Sequence, residues 1–308
     1  MKYIQLLGST FLLTVLMGCS LIPPSVEITP QPFDVSSSYA FNIANQTALT
    51  KPYYYGRTYS SPLKDFSQEE KDKATKAFNK KSNAGSMFGL AVATVLSGDP
   101  MLGLGGVGAS GLMAITHSKH IASKPTWIIA VEKSQFGSKA EAQKFIIKSI
   151  KTAMITEMEK YGEVKIDQPN KNFPNWNQLF VKIDEEWISA GFGFQSENVT
   201  DDLLTERKVL LNGMEVEAYT YGYGTEIDNI QTTLISPPNP YLIYKKVGDG
   251  AEFDHVIHRL TQQLPLGFNL YYPPYPKVQF EPGKYYINIK NPLPTIYTQG
   301  NKYEFIKP

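Results

Sequence analysis

TWIIAVEKSQFGSKAEAQKFIIKSIKTAMITEMEKYG (residues 126–162) reads as a strand followed by a helix. Its opening, TWIIAVEK, is a short apolar run rich in β-branched residues, the pattern of a buried strand. Ser138 with Glu141 three residues on is a capping box, the signature of a helix start. Ala142, Phe145, Ile146, Ile150, Ala153, Met154 and Tyr161 then recur at helical spacing and supply one apolar face. Gly162 is the expected stop, about 23 residues after the cap.

Working outward, EVKID (163–167), QLFVKI (178–183) and WISAGFGF (187–194) read as strands. ERKVLLNGMEVEAYTYG (206–222) reads as a hairpin, because Asn212-Gly213 suits the left-handed positions of a type I′ turn. PYLIYKKV (240–247) is expected as a strand. It leads through Gly248-Asp249-Gly250 into a helix, EFDHVIHRLTQQL, with Phe253, Val256, Ile257, Leu260 and Leu264 as its apolar stripe. Two strand-then-helix units would then stand in one chain, although no residues align between them. KYYINIK (284–290) and KYEFIKP (302–308) are further candidate strands. The expected fold class is α+β: a mostly antiparallel sheet with helices packed on one face.

Upstream, SQEEKDKATKAFNKKSN (67–83) is polar and helix-prone, with Ser67 and Glu70 as a second capping box. It precedes AGSMFGLAVATVLSGDPMLGLGGVGASGLMAIT (84–116), whose only charged residue is Asp99. Small residues recur at every fourth position, at Gly85, Gly89, Ala93 and Ser97, then at Gly106, Ser110 and Ala114. Each set lines one helix face and permits close backbone approach, the small-xxx-small pattern of helix pairs in lipid. Gly98-Asp99-Pro100 reads as a turn, so the segment is expected as an appended helical hairpin. It would insert in a membrane, pack in an oligomer, or lie buried in a soluble domain; its second half could equally be a glycine-rich loop. Lys71, Lys73, Lys76, Lys80 and Lys81 beside it could meet lipid phosphates, or simply form a solvated helix face.

The N-terminus carries an address. Lys2 precedes an apolar run from Ile4 to Met17, a secretory signal too short to span a bilayer core of about 30 Å. The run ends at Leu16-Met17-Gly18-Cys19, and Cys19 is the only cysteine in the chain. This exit resembles the lipobox of bacterial lipoproteins, with Met17 a less usual occupant. The resemblance covers about the first twenty residues. It implies cleavage before Cys19, acyl chains on its sulfur and new amino terminus, and lasting attachment to a bilayer. Ser20, where inner-membrane retention favours aspartate, implies the outer membrane. The glycine-rich segment is similar in pattern to that of outer-membrane lipoproteins of the TraT surface-exclusion type, with no motif outside it in support.

From Ser20 to about Pro62, prolines recur among Ser, Thr and Asn without helical period, as in an extended tether. Tyr53-Tyr54-Tyr55 could instead be a short strand docking on the body. Four segments follow: a signal peptide (1–18), a lipid-anchored tether (19–62), a helix with the glycine-rich hairpin (63–122) and an α+β domain (123–308).

The formal net charge is +1 with 19% charged residues, so no strong field invites nucleic acid. With Cys19 lipidated, no thiol remains for a disulfide, and the fold must rest on its core. No cofactor is expected beyond the acyl chains on Cys19. The four histidines form two H-x-x-H pairs, His117/His120 and His255/His258. Either pair could share a helix face and chelate Zn²⁺ or Cu²⁺, yet partly exposed imidazole is ordinary on an amphipathic helix, and no metal site is assigned. Asp184-Glu185-Glu186 and Asp201-Asp202 could offer paired carboxylates for acid/base work, or solvated charges at strand ends. No G-x-S-x-G motif marks a nucleophile, and no catalytic residue is assigned. The expected role is a non-enzymatic envelope lipoprotein that binds, assembles or supports. Its partners would be membrane lipid and a second copy or another envelope protein. The alternative is a lipid-anchored hydrolase of envelope polymer.

Overall fold

The computed structural model describes residues 29–51, 53–55, 58–60, 63–79, 121–168, 175–197, 202–224, 233–248, 250–273 and 293–308. In chain order, a short helix α1 (Tyr39–Ala44) precedes a hairpin of β1 (Tyr53–Tyr55) and β2 (Thr58–Ser60), then helix α2 (Gln68–Asn79). Next come β3 (Thr126–Glu132), the long helix α3 (Lys139–Met158), and strands β4 (Glu163–Asp167), β5 (Trp176–Ile183) and β6 (Glu186–Gln195). The hairpin β7 (Thr205–Leu211) and β8 (Met214–Tyr221) leads to helices α4 (Tyr241–Val247) and α5 (Phe253–Gln262). The chain closes on β9 (Phe268–Tyr272), β10 (Thr295–Thr298) and β11 (Asn301–Glu304).

The strands form a six-stranded sheet in the order β11-β10-β9-β3-β8-β7 and a three-stranded sheet β4-β5-β6. Their pairings are antiparallel throughout. The fold is therefore α+β, as the sequence pattern indicates. The glycine-rich hairpin lies outside the described residues.

β3 sits inside the large sheet with both faces covered, which is why TWIIAVEK is apolar without alternation. Trp127, Ile129 and Val131 join a core with α3, α5 and the inner face of the small sheet. Ile128 and Ala130 face a second core, built from α1, Leu49, Phe66, Tyr271, Ile296 and Phe305. Helices α3 and α5 thus share one face of the sheet, and the N-terminal arm closes the other.

Local rules place the ends of these elements. Ser138 Oγ accepts from Glu141 N at 3.2 Å, and Glu141 Oε2 accepts from Gly137 N at 2.8 Å. Ser67 and Glu70 form the full reciprocal box, at 3.2 and 2.7 Å. Asn212 and Gly213 take φ of 51° and 79°, as a type I′ turn requires. Gly162 ends the α3 region for a packing reason: a Cβ there would meet the Lys182 carbonyl oxygen at 2.0 Å.

Two expectations are corrected. PYLIYKKV is not a strand; residues 241–247 are helix α4. Tyr244 N bonds to Pro240 O at 3.0 Å, and the turn ends at Gly248, whose φ is 77°. Among the described side chains of α4 only Ile243 is fully buried, with Tyr244 packed beside it, so the segment coats the core with one edge and is not part of the sheet. The second strand-then-helix unit is therefore helix-then-helix, and the repeat falls away. The extended tether also does not describe residues 38–50. Ala40, Ala44 and Leu49 are fully buried against the large sheet. The composition there is tether-like, but α1 is only six residues long, too short to print a helical period.

Candidate functional site

The arm is held by a latch at Ser38. Its side chain caps α1, accepting from Phe41 N at 2.9 Å, while its hydroxyl donates to Asp65 Oδ1 at 2.6 Å. Ser38 N donates to the other Asp65 oxygen at 2.7 Å, and both residues are buried. Further along, Ala48 N bonds Tyr223 O at 2.8 Å and Leu63 N bonds Leu49 O at 2.9 Å. Gln46 acts as a strand substitute: its Oε1 accepts from Leu210 N at 2.6 Å and its Nε2 donates to Leu210 O at 3.4 Å. Just upstream, Asp34 accepts from Ser36 and Ser37, and these bonds, chiefly from the Ser36 side chain, hold its carboxyl below the usual range. Phe33 and Val35 beside it are 54% and 81% exposed.

A second polar cluster joins α3 to α5. Glu157 is fully buried, and its Oε1 receives Arg259 Nε at 2.9 Å and Nη2 at 2.6 Å. Its Oε2 receives Lys160 Nζ at 2.6 Å. Arg259 Nη2 also donates to the Tyr161 hydroxyl at 2.7 Å and to Gly250 O at 3.0 Å. Burial first, then the Glu157 charge, pushes the Tyr161 phenol up to about 12. A buried carboxylate shared by Arg259 and Lys160 is a structural tie between the two helices, its charge matched within the protein.

The residues singled out in the sequence fall as follows. Cys19, the small-residue stripe from Gly85 to Ala114, His117, His120, Lys80, Lys81 and Asp201 lie outside the described residues. His255 is exposed on α5, with Nδ1 2.9 Å from Glu252 Oε2, and His258 is exposed one turn on. Among the described residues no group of three His, Cys, Asp or Glu side chains could hold a metal ion. Asp184 and Glu185 are the two left-handed residues of the β5–β6 turn, with φ of 49° and 64°. Glu185 pairs with Lys182 at 2.7 Å, Glu186 with Lys246 at 2.7 Å and Asp202 with Lys139 at 2.5 Å. Each is held by a lysine of its own. Lys71 pairs with Glu304 at 2.7 Å and Lys73 with Glu69 at 2.6 Å, so both ammonium groups are engaged within the protein.

Sequence reasoning missed Asp65, Gln46, Glu157 and Arg259. Only Glu157 left a trace: it continues the buried helical series Ile146, Ile150, Ala153, Met154, a core position filled by a charge. The other three act through partners distant in the chain. Among the described residues no helix is long and apolar enough to cross a membrane. Comparison with protein-family models, with curated proteins and with solved structures finds no match.

Proposed function

We propose that this chain is a non-enzymatic lipoprotein of the bacterial outer membrane, anchored through acyl chains on Cys19, with a body that binds or assembles at the envelope. The observation that carries the reading is Leu16-Met17-Gly18-Cys19 at the end of a basic-then-apolar leader, in a chain with no other cysteine. The latch at Ser38 gives the reading a dimension. The nineteen positions from Cys19 to Ser38 reach at most about 65 Å when extended, so the body stays close to the bilayer. Phe33 and Val35 lie on that approach, exposed where apolar side chains would meet the membrane interface. In this reading the stripe Gly85, Gly89, Ala93, Ser97, Gly106, Ser110 and Ala114 inserts in the membrane or packs between copies.

The test is mass spectrometry of the mature N-terminus together with membrane fractionation. The expected result is a chain beginning at acylated Cys19, released by detergent and not by high salt, with Cys19→Ala lost from the membrane fraction. A mature chain that keeps its leader, or starts at an unmodified residue, defeats the proposal. Gly89→Leu, fractionated in parallel, reports on the stripe: recovery of the same membrane-bound partners as wild type removes its packing role.

A further inference from the structure

The edges of the two larger sheets are treated unequally. At β7 the Gln46 amide takes the Leu210 backbone. Beside β6, residues 234–239 run along the strand, with Gln195 N to Leu234 O at 2.9 Å and Ser236 N to Gly193 O at 2.8 Å. The chain leaving β11 is held by Phe66, which accepts from Lys307 N and donates to Phe305 O. Among the described residues no hydrogen bond reaches the outer backbone of β4. An unpaired edge is a template for another strand.

β4 is also unfinished on its core side. Val164 and Ile166 stand opposite Val181 and Leu179, which are fully buried. Ile166 nevertheless keeps 43% of its surface exposed. The opposite face of β4 alternates in charge: Glu163, Lys165, Asp167. Lys165 lies over the Trp187 ring at 4.6 Å and makes a loose ion pair with Asp167 at 3.7 Å, and both charged side chains stay exposed, at 40% and 55%, open to a second partner.

We propose that two copies of this protein pair antiparallel through β4, about a twofold axis at Ile166, to make one continuous six-stranded sheet from two three-stranded ones. The charge pattern selects this register. A twofold at Lys165 would set lysine against lysine and Glu163 against Asp167, both repulsive. A twofold at Val164 matches charges but leaves Ile166 opposite a glycine. Centring on Ile166 sets each Lys165 opposite Asp167 of the partner subunit and buries the two isoleucines against each other. The pairing rests on β4 alone and stands or falls independently of the lipid anchor.

The experiment uses the full mature chain in detergent and, separately, the Cys19→Ala chain, so that loss of the anchor and loss of the pairing are distinguished. Ile166→Cys should give a covalent dimer with a short bifunctional thiol reagent. Glu163→Cys should not, because the two copies of that position lie about 20 Å apart in this register. Lys165→Glu and Asp167→Lys, each alone, should weaken the dimer tenfold or more in sedimentation, and the combined exchange should restore it. A chain that is monomeric at every concentration, with Ile166→Cys left uncrosslinked, overturns the proposal and leaves the edge to a strand of another protein. Equal crosslinking at positions 163 and 166, or a dimer indifferent to the charge reversals, overturns it as well.

Discussion

The Tyr221 hydroxyl is buried at the inner end of β8 and accepts a hydrogen bond from Leu234 N at 3.0 Å. Burial pushes its pKa up to about 12 from an ordinary value of 10.0. A folded-state value above the unfolded one stabilises fully below pH 10, and that stability is lost as pH rises through 12. The linked loss for Tyr221 is on the order of 2–3 kcal/mol. Tyr221→Phe should lower stability at pH 7 by about 1–3 kcal/mol, since Leu234 N loses its acceptor. It should also make the fall between pH 10 and pH 12 shallower than in wild type. Urea denaturation across that range measures both, and parallel pH profiles for the two proteins would contradict the assignment. At this scale the sequence was partly legible. The capping serines and Asn212-Gly213 act through neighbours three residues away or fewer, so their roles could be read directly. Asp65 and Gln46 act across 27 and 164 positions, and nothing local marks them.

Helices α3 and α5 illustrate how elements depend on one another. Their apolar stripes were readable from spacing, because an amphipathic helix must repeat its buried face every three to four residues. Their mutual tie was not, because it joins Glu157 to Arg259 across 102 positions. Arg259→Ala leaves a fully buried carboxylate with Lys160 and Tyr161 only, and should destabilise by roughly 3 kcal/mol in urea denaturation. Replacing both Glu157 and Arg259 by Met should recover most of that loss, since an apolar pair of similar volume avoids the desolvation of charge. A double variant as unstable as Arg259→Ala would show that the tie is needed as an ion pair. Helix α4 marks the limit of local reading. YLIYKKV carries β-prone residues, yet Gly248 and the packing of Ile243 place it as a helix on the core.

At the scale of the molecule, the arm from Ser38 to Thr50 is the lid of the second core, and the hold at its α1 end passes through Asp65. Asp65→Ala removes both bonds to Ser38. Hydrogen exchange of the α1 amides should then accelerate about tenfold or more while β3 amides, on the shared axis of both cores, change much less. Equal acceleration of both would mean that the arm opens only with global unfolding. The envelope reading belongs to this scale too, since the latch sets how far the body stands from Cys19. The amino-acid order alone was enough for the α+β class, the helix faces, the I′ hairpin and the expectation of a lipid anchor. Each of these depends on periodicity or on groups a few residues apart. Folding in three dimensions decided that an arm of tether-like composition becomes core, that α4 is helical, that Glu157 is tied to Arg259 and that, among the described residues, nothing pairs with the outer edge of β4. Those outcomes depend on surfaces contributed by remote parts of the chain, and burial against a remote surface outweighs local preference by several side chains' worth of hydrophobic free energy.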